Sequence, residues 1–155
     1  MIGADTIVVC EGRIIGKPLY AKDARAILAL LSGKKHEVIT GFAIVDARTG
    51  HAVSRSARTT VCFRKITHRD IDEYVKTGEP LKAAGAYFIQ GGGSMFVREI
   101  KGDYSNIVGL PVKDLMKALK QFTGETWNRS PTLRSDSDSF ARRSYAHPVR
   151  KNTLT

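Results

Sequence analysis

Val38-Ile-Thr-Gly-Phe-Ala-Ile-Val45, Asp46-Ala-Arg-Thr-Gly50 and Val53-Ser-Arg-Ser-Ala-Arg-Thr-Thr-Val-Cys-Phe63 stand in that order near the middle of the chain. The first and third are rich in β-branched and aromatic residues, and polar and apolar positions alternate over part of the second run. The middle piece has the Asp and Gly of a turn. This pattern predicts two antiparallel strands joined by a short connection, with one face covered.

Outward from that hairpin, two periods take turns. Ile7 to Cys10 reads as a buried strand, Gly12 as a tight turn, Arg13 to Ile15 as a second short strand, and Pro18 as a block to further pairing. From Ala21 the spacing becomes helical: Ala24, Ile27, Leu28 and Leu31 share one face, and Gly33 follows as a stop. After the hairpin, Thr67 with Asp70 three residues later resembles a capping box. Ile71, Tyr74 and Val75 supply that helix's apolar stripe before Gly78. Met95 to Ile100 is predicted as a strand, and Pro111 opens a last helix through Leu115, Leu119 and Phe122. The expected class is α/β: a mixed, twisted central sheet flanked by helices. Residues 1–123 form its domain. Residues 124–155, Ser-rich and then basic with no apolar period, are expected to be a disordered tail that folding does not need.

Composition narrows the partners. The chain has 155 residues, 42% of them hydrophobic, enough for one domain with a core. The apolar run Ala26 to Leu31 is too short to span a bilayer and no signal peptide is visible, so a cytoplasmic location is expected. Cys10 and Cys62 lie in strand-like stretches without histidine neighbours, which favours buried thiols over a zinc site. The net charge of +10 invites a polyanion. It is spread along the chain without a Lys/Arg block or interleaved aromatics, which favours phosphate handling over nucleic-acid binding.

A few segments have the residues for chemistry. Asp5, in Gly3-Ala-Asp-Thr6, reads as a general base or metal ligand at a strand end, or equally as a turn-capping carboxylate. Lys17, in Gly16-Lys-Pro18, suits a phosphate or is simply solvated. Gln90-Gly-Gly-Gly-Ser94 precedes a predicted strand, so it is not a helix-opening phosphate loop. Asp103-Tyr-Ser-Asn106 reads as an Asx-type turn ahead of Pro111. His36, His51, His68 and His147 are far apart in sequence and are expected at the surface.

Together these segments resemble one family. Gly3-Ala-Asp-Thr6, Gly16-Lys-Pro18, Leu31-Ser-Gly33 with His36-Glu-Val38 and Thr40-Gly41, Tyr74-Val75 with Gly78-Glu-Pro80, Ala84-Gly-Ala-Tyr87, Ile89-Gln-Gly91, and Gly102-Asp-Tyr-Ser105 through Val108-Gly-Leu-Pro111 follow the order of the Maf nucleotide pyrophosphatases, also described as septum-formation-inhibitor-like. The resemblance runs from Met1 to about Phe122. It implies hydrolysis of a nucleoside triphosphate between the α and β phosphates with a divalent cation, Mg²⁺ or Mn²⁺. Asp5 would be the proton acceptor, and a metal ligand as well; Lys17 would hold phosphate, and Thr6 and Gln90 would select the base. Thr6 and Gln90 are similar to the dTTP/UTP subgroup rather than the 7-methylguanosine subgroup. A homodimer is also implied. The alternative is a nucleotide-binding or cell-division protein without turnover.

Two departures from the family pattern carry expectations. Phe88 stands where the family usually has glycine and is expected to crowd the pocket or change the turn. The family's opening segment, with a first strand, a Ser-Pro-Arg-Arg loop and a glutamate near the metal, has no counterpart in the sequence. A start at an internal Met and a shortened relic both fit that. On either reading the 155 residues alone are expected to expose a sheet edge and to turn over poorly.

Overall fold

The computed structural model describes residues 1–124. The predicted tail beyond Gly124, and His147 within it, lie outside the described residues.

The turn at residues 46–50 behaves as its composition requires. Asp46 Oδ1 accepts from the Arg48 amide at 2.8 Å, the Gly50 amide donates to the Asp46 carbonyl at 2.9 Å, and Gly50 takes the left-handed φ of 75° that a side chain would resist. From it run β3 (Lys35–Val45) and β4 (Ala52–Phe63), antiparallel from Val45↔Ala52 to Lys35↔Cys62. On the far side of β3 lies β1 (Ile2–Cys10), beginning five residues before the stretch read as its start. Residues Glu11 and Gly12, both with positive φ, return the chain into β2 (Arg13–Ile15). With β5 (Val97–Lys101) the sheet order is β2-β1-β3-β4-β5. The chain is α/β with helices packed on a sheet, and all four described pairings are antiparallel.

One face of this sheet holds the core. Along β3 the buried positions are His36, Val38, Thr40, Phe42 and Ile44, every second residue, while Lys35 and Gly41 are exposed. At one end, α1 (Ala21–Leu31) and α2 (His68–Lys76) pack over Val8, Val38, Val61 and Phe63, with Leu28 and Leu31 fully buried. At the other end, α4 (Val112–Thr123) places Leu115 and Ala118 on Phe42 and Ile44. Between them sits α3 (Tyr104–Val108), a short helix where only a turn was expected. Asp103 caps it, its Oδ1 accepting from the Ser105 amide at 2.8 Å. The capping box of α2 forms as read: Asp70 N donates to Thr67 Oγ1 and Thr67 N to Asp70 Oδ2, each at 3.1 Å.

Two local readings change. Met95 belongs to a 3-10 turn, Gly92–Phe96, and the strand starts only at Val97. Histidines 51 and 68 are exposed as expected, but His36 is 2% exposed, because its parity on β3 faces inward. Its Nε2 lies 2.9 Å from the Tyr87 hydroxyl and its ring meets Phe63 and Tyr87 edge-on. Both cysteines are buried as read. Among the described residues no helix is long and apolar enough to cross a membrane.

Burial of His36 has a testable pH consequence. Loss of solvent lowers its pKa to about 4, whereas an unfolded imidazole titrates near 6.5. Between those values the unfolded chain binds the extra proton, so stability is lost as pH falls through the window, by about 3 kcal/mol at its lower end. Urea midpoints at pH 7 and pH 4.5 will therefore differ markedly in the native chain and less in His36→Gln.

Candidate active site

β1 and β3 carry opposed threonines. Thr6 faces Thr40 in the register, and their hydroxyls lie 2.9 Å apart, as expected for a close pair whose amides point away from each other. Accordingly the Thr6 amide is turned to the outer edge of β1, where Asp5 Oδ1 accepts from it at 2.9 Å. β2 covers only Val8 to Cys10, so residues 2–7 of β1 have no strand on that edge among the described residues. Asp5 therefore stands exposed beside that edge, with Oδ1 engaged and no hydrogen bond to Oδ2 among the described residues.

Lys17 arrives from the loop after β2. That loop is pinned to the turn Ala84–Ala86 by a 3.2 Å hydrogen bond from the Gly85 amide to the Gly16 carbonyl. Gly85 has φ 72°, and a Cβ there would press on the Val8 methyls at 3.2 and 3.3 Å, so this close seating needs glycine. The result is one cavity of about 300 Å³ lined by Asp5, Thr6 and Lys17 together with Lys82, Tyr87 and Phe88. Three of the four residues singled out from sequence thus converge. Two lysines and one carboxylate give the cavity the charge pattern of a phosphate site with a base beside it.

Gln90 is placed elsewhere. It lines a neighbouring depression with Tyr104, Ser105 and Leu110, and the two spaces share Val108 and Gly109 as a common wall. A ligand extending across that wall would meet Thr6 on one side and Gln90 on the other. The glycines after Gln90 hold that position. Glu79 accepts from the Gly92 amide at 3.2 Å, the Gly93 amide at 3.4 Å and the Tyr74 hydroxyl at 2.7 Å. Burial alone would raise the Glu79 carboxyl, but these three donors outweigh it and keep it below the usual range. A Cβ on Gly91 would fall 2.4 Å from Glu79 Oε1, so glycine here permits the clamp. The Gly91 amide donates to the Phe88 carbonyl at 3.2 Å, and Phe88, 40% exposed, is part of the cavity lining.

Sequence reading missed Thr40, Lys82 and Glu79 as members of this constellation. The signal for Glu79 was available in its company, Gly78-Glu-Pro80, but Thr40 becomes relevant only through the cross-strand register. For a metal, the described residues offer no cluster of three or more His, Cys, Asp or Glu side chains. The carboxylate of Asp5 is of the kind that Mg²⁺ takes, commonly as one carboxylate ligand with phosphate and water completing the shell.

Comparison with known proteins supplies a family for the chain. The family described as Maf-like protein matches residues 1–122. A dTTP/UTP pyrophosphatase of Moorella thermoacetica is 50% identical over 129 residues, covering 83% of this chain and 66% of that protein. Those of Citrifermentans bemidjiense and Bacillus cereus strain G9842 are 50% and 51% identical, covering 77% and 79% of this chain and 62% and 63% of theirs. The chain thus spans a little under two thirds of the length of these curated relatives. With all but two of the described residues matched, the chain belongs to the Maf-like protein family.

Proposed function

We propose that this chain acts on dTTP and UTP as a nucleoside triphosphate pyrophosphatase, releasing the monophosphate and pyrophosphate. The observation that carries the reading is the convergence of Asp5, Thr6 and Lys17, with Lys82, on one cavity. Relatives at about 50% identity bear the name dTTP/UTP pyrophosphatase, which supports the substrate class.

In this reading Lys17 and Lys82 hold the anionic end of the nucleotide as point charges. The free oxygen of Asp5 takes a proton from water as that water attacks the α-phosphorus. The bond from the α-phosphorus to the oxygen bridging to the β-phosphorus breaks, and that oxygen leaves with the pyrophosphate. A divalent cation, Mg²⁺ or Mn²⁺, held by Asp5 and the phosphates, would offset charge that builds on the phosphate oxygens. Gln90 reaches the base from the adjoining depression, its amide offering both a donor and an acceptor. Residence in the cytoplasm and assembly as a homodimer belong to the same proposal; binding of nucleic acid does not.

The arginines and glutamate that the resemblance places in an opening segment are not among these 155 residues. We therefore propose slow turnover by the 155 residues alone and faster turnover by a version preceded by a family opening segment. Pyrophosphate release with Mg²⁺ is measured for both across pyrimidine and purine triphosphates. The expected result is a preference of about tenfold or more for dTTP and UTP over purine triphosphates in the extended version. A preference for a purine or 7-methylguanosine triphosphate would overturn the assignment, and nucleotide binding with no turnover by either version would leave a binding protein instead.

A further inference from the structure

Half-buried Thr6 stands at the cavity end of a chain of polar groups whose proton arrangement can be worked out. Its hydroxyl lies 2.9 Å from the Thr40 hydroxyl and 3.5 Å from the Gly109 carbonyl. Thr40 Oγ1 in turn lies 3.1 Å from the Asn106 carbonyl. Each hydroxyl has a single proton to donate. Two arrangements keep the bond between the hydroxyls: Thr6 donates to Thr40 and Thr40 to Asn106, or Thr40 donates to Thr6 and Thr6 to Gly109 or into the cavity; a third, in which both donate outward to Gly109 and Asn106, forfeits that bond. The first arrangement uses contacts of 2.9 and 3.1 Å, the second 2.9 and 3.5 Å. Hydroxyl hydrogen bonds favour about 2.7–2.8 Å and weaken toward 3.5 Å, so the first wins.

The surroundings keep it that way. Thr40 is fully buried, so no water competes for its proton. The Asn106 side chain is fixed from behind, its amide donating to the Val38 carbonyl at 2.9 Å and to Thr59 Oγ1 at 3.0 Å. In this arrangement the Thr6 proton points into the protein. What Thr6 offers to the cavity is a lone pair, while Lys17 on the same cavity offers only donors. The cavity is therefore polarised: an anionic group belongs at Lys17 and an N–H belongs at Thr6.

We propose that Thr40 is a positioning residue for substrate selection. It draws the Thr6 proton inward so that Thr6 meets the base as an acceptor, favouring the ring N3–H of uracil and thymine over the unprotonated N3 of cytosine. This inference rests on the pyrimidine pyrophosphatase reading above and adds the physical basis of its choice among pyrimidines.

The test measures binding of the α,β-methylene analogues of UTP and CTP by titration calorimetry, with Mg²⁺, in the 155-residue chain and in Thr40→Val and Thr40→Ser. An unmatched polar contact in such a site costs about 10- to 100-fold in affinity, so the native chain should prefer the uridine analogue by that factor. Thr40→Val frees the Thr6 proton to turn toward the ligand, and the preference should shrink to about threefold or less through a gain for the cytidine analogue. Thr40→Ser should restore it. The Asn106 carbonyl keeps the Gly109 amide as a partner at 3.1 Å in Thr40→Val, so no buried group is orphaned. If that variant nonetheless fails to fold, proton NMR of the native chain decides: the Thr6 hydroxyl proton must show its stronger cross-relaxation to Thr40 rather than to Gly109. An unchanged uridine preference in Thr40→Val, or a hydroxyl proton directed at Gly109, overturns the role of Thr40 and leaves the proposed activity standing. Failure of both the 155-residue chain and the extended version to bind either analogue overturns the activity, and this inference with it.

Discussion

Asp5→Asn will lower pyrophosphate release from UTP by about a hundred- to ten-thousand-fold in the extended version described above, the range usual for loss of a general base. The substitution is isosteric, and the amide oxygen can still accept from the Thr6 amide that Asp5 Oδ1 holds at 2.9 Å. What disappears is the negative charge and the ability to take a proton. Because Asp5 is exposed, the melting temperature should move by no more than a degree or two. In the 155 residues alone the same substitution has less turnover to remove. Its clearest effect there should be on Mg²⁺-dependent nucleotide binding rather than on rate. A variant of the extended protein that keeps a third or more of the native rate would remove Asp5 from the chemistry.

The largest effect on stability is expected from Phe63→Ala. Phe63 is fully buried at the end of β4, where the pairing with β5 shifts register. Its ring centroid lies 4.8 Å from those of both His36 and Tyr87 and 5.9 Å from that of Phe96. It is thus the common neighbour of β3, β4, the segment after Ala84–Ala86 and the turn Gly92–Phe96. Truncation removes the transfer energy of the ring and leaves a void that rigid neighbours cannot close, for about 3–5 kcal/mol. Against a total of roughly 5–15 kcal/mol for a domain of ordinary stability, that is a large share. Thermal unfolding should shift down by more than about 10 °C. A shift of only a few degrees would mean that the cluster repacks, and that the wall of Tyr87 at the cavity is softer than its contacts suggest.

Regular elements were legible where a single local period decided them. The hairpin of β3 and β4, the stripe of α1 and the capping box at Thr67 and Asp70 depend on residues within one or two turns of each other. What escaped was long-range in origin. The inward parity of His36 depends on which face of β3 the helices cover, and a histidine in a strand does not announce it. The first half of β1 was missed because Gly3, Ala4 and Asp5 have weak strand propensity, and pairing with β3 overrides it. Residues 92–96 coil because Glu79 gathers the Gly92 and Gly93 amides, contacts thirteen and fourteen residues back that no local pattern encodes. At the site, Asp5, Thr6 and Lys17 were legible through the family resemblance, and the structure brings them to one cavity. Gln90, equally legible, faces the next depression because the clamp on the glycines sets its direction.

The polar belt formed by Thr6, Thr40, Asn106 and Thr59 also bears on how the long hairpin finds its alignment. Hydrophobic side chains tolerate a strand that slides by two residues, since one apolar group can replace another. Hydroxyl and amide partners do not. Only the pairing of Thr40 with Ala57 and of Val38 with Thr59 sets the Val38 carbonyl and the Thr59 hydroxyl within reach of the same Asn106 amide. Sliding β4 by a single position would turn Thr59 to solvent. Sliding it by two would keep the face but take Thr59 away from the Asn106 amide, leaving one buried N–H without its acceptor at about 1–3 kcal/mol. The belt therefore acts as a vernier on the sheet: the apolar residues bring the strands together, and four polar side chains read the scale.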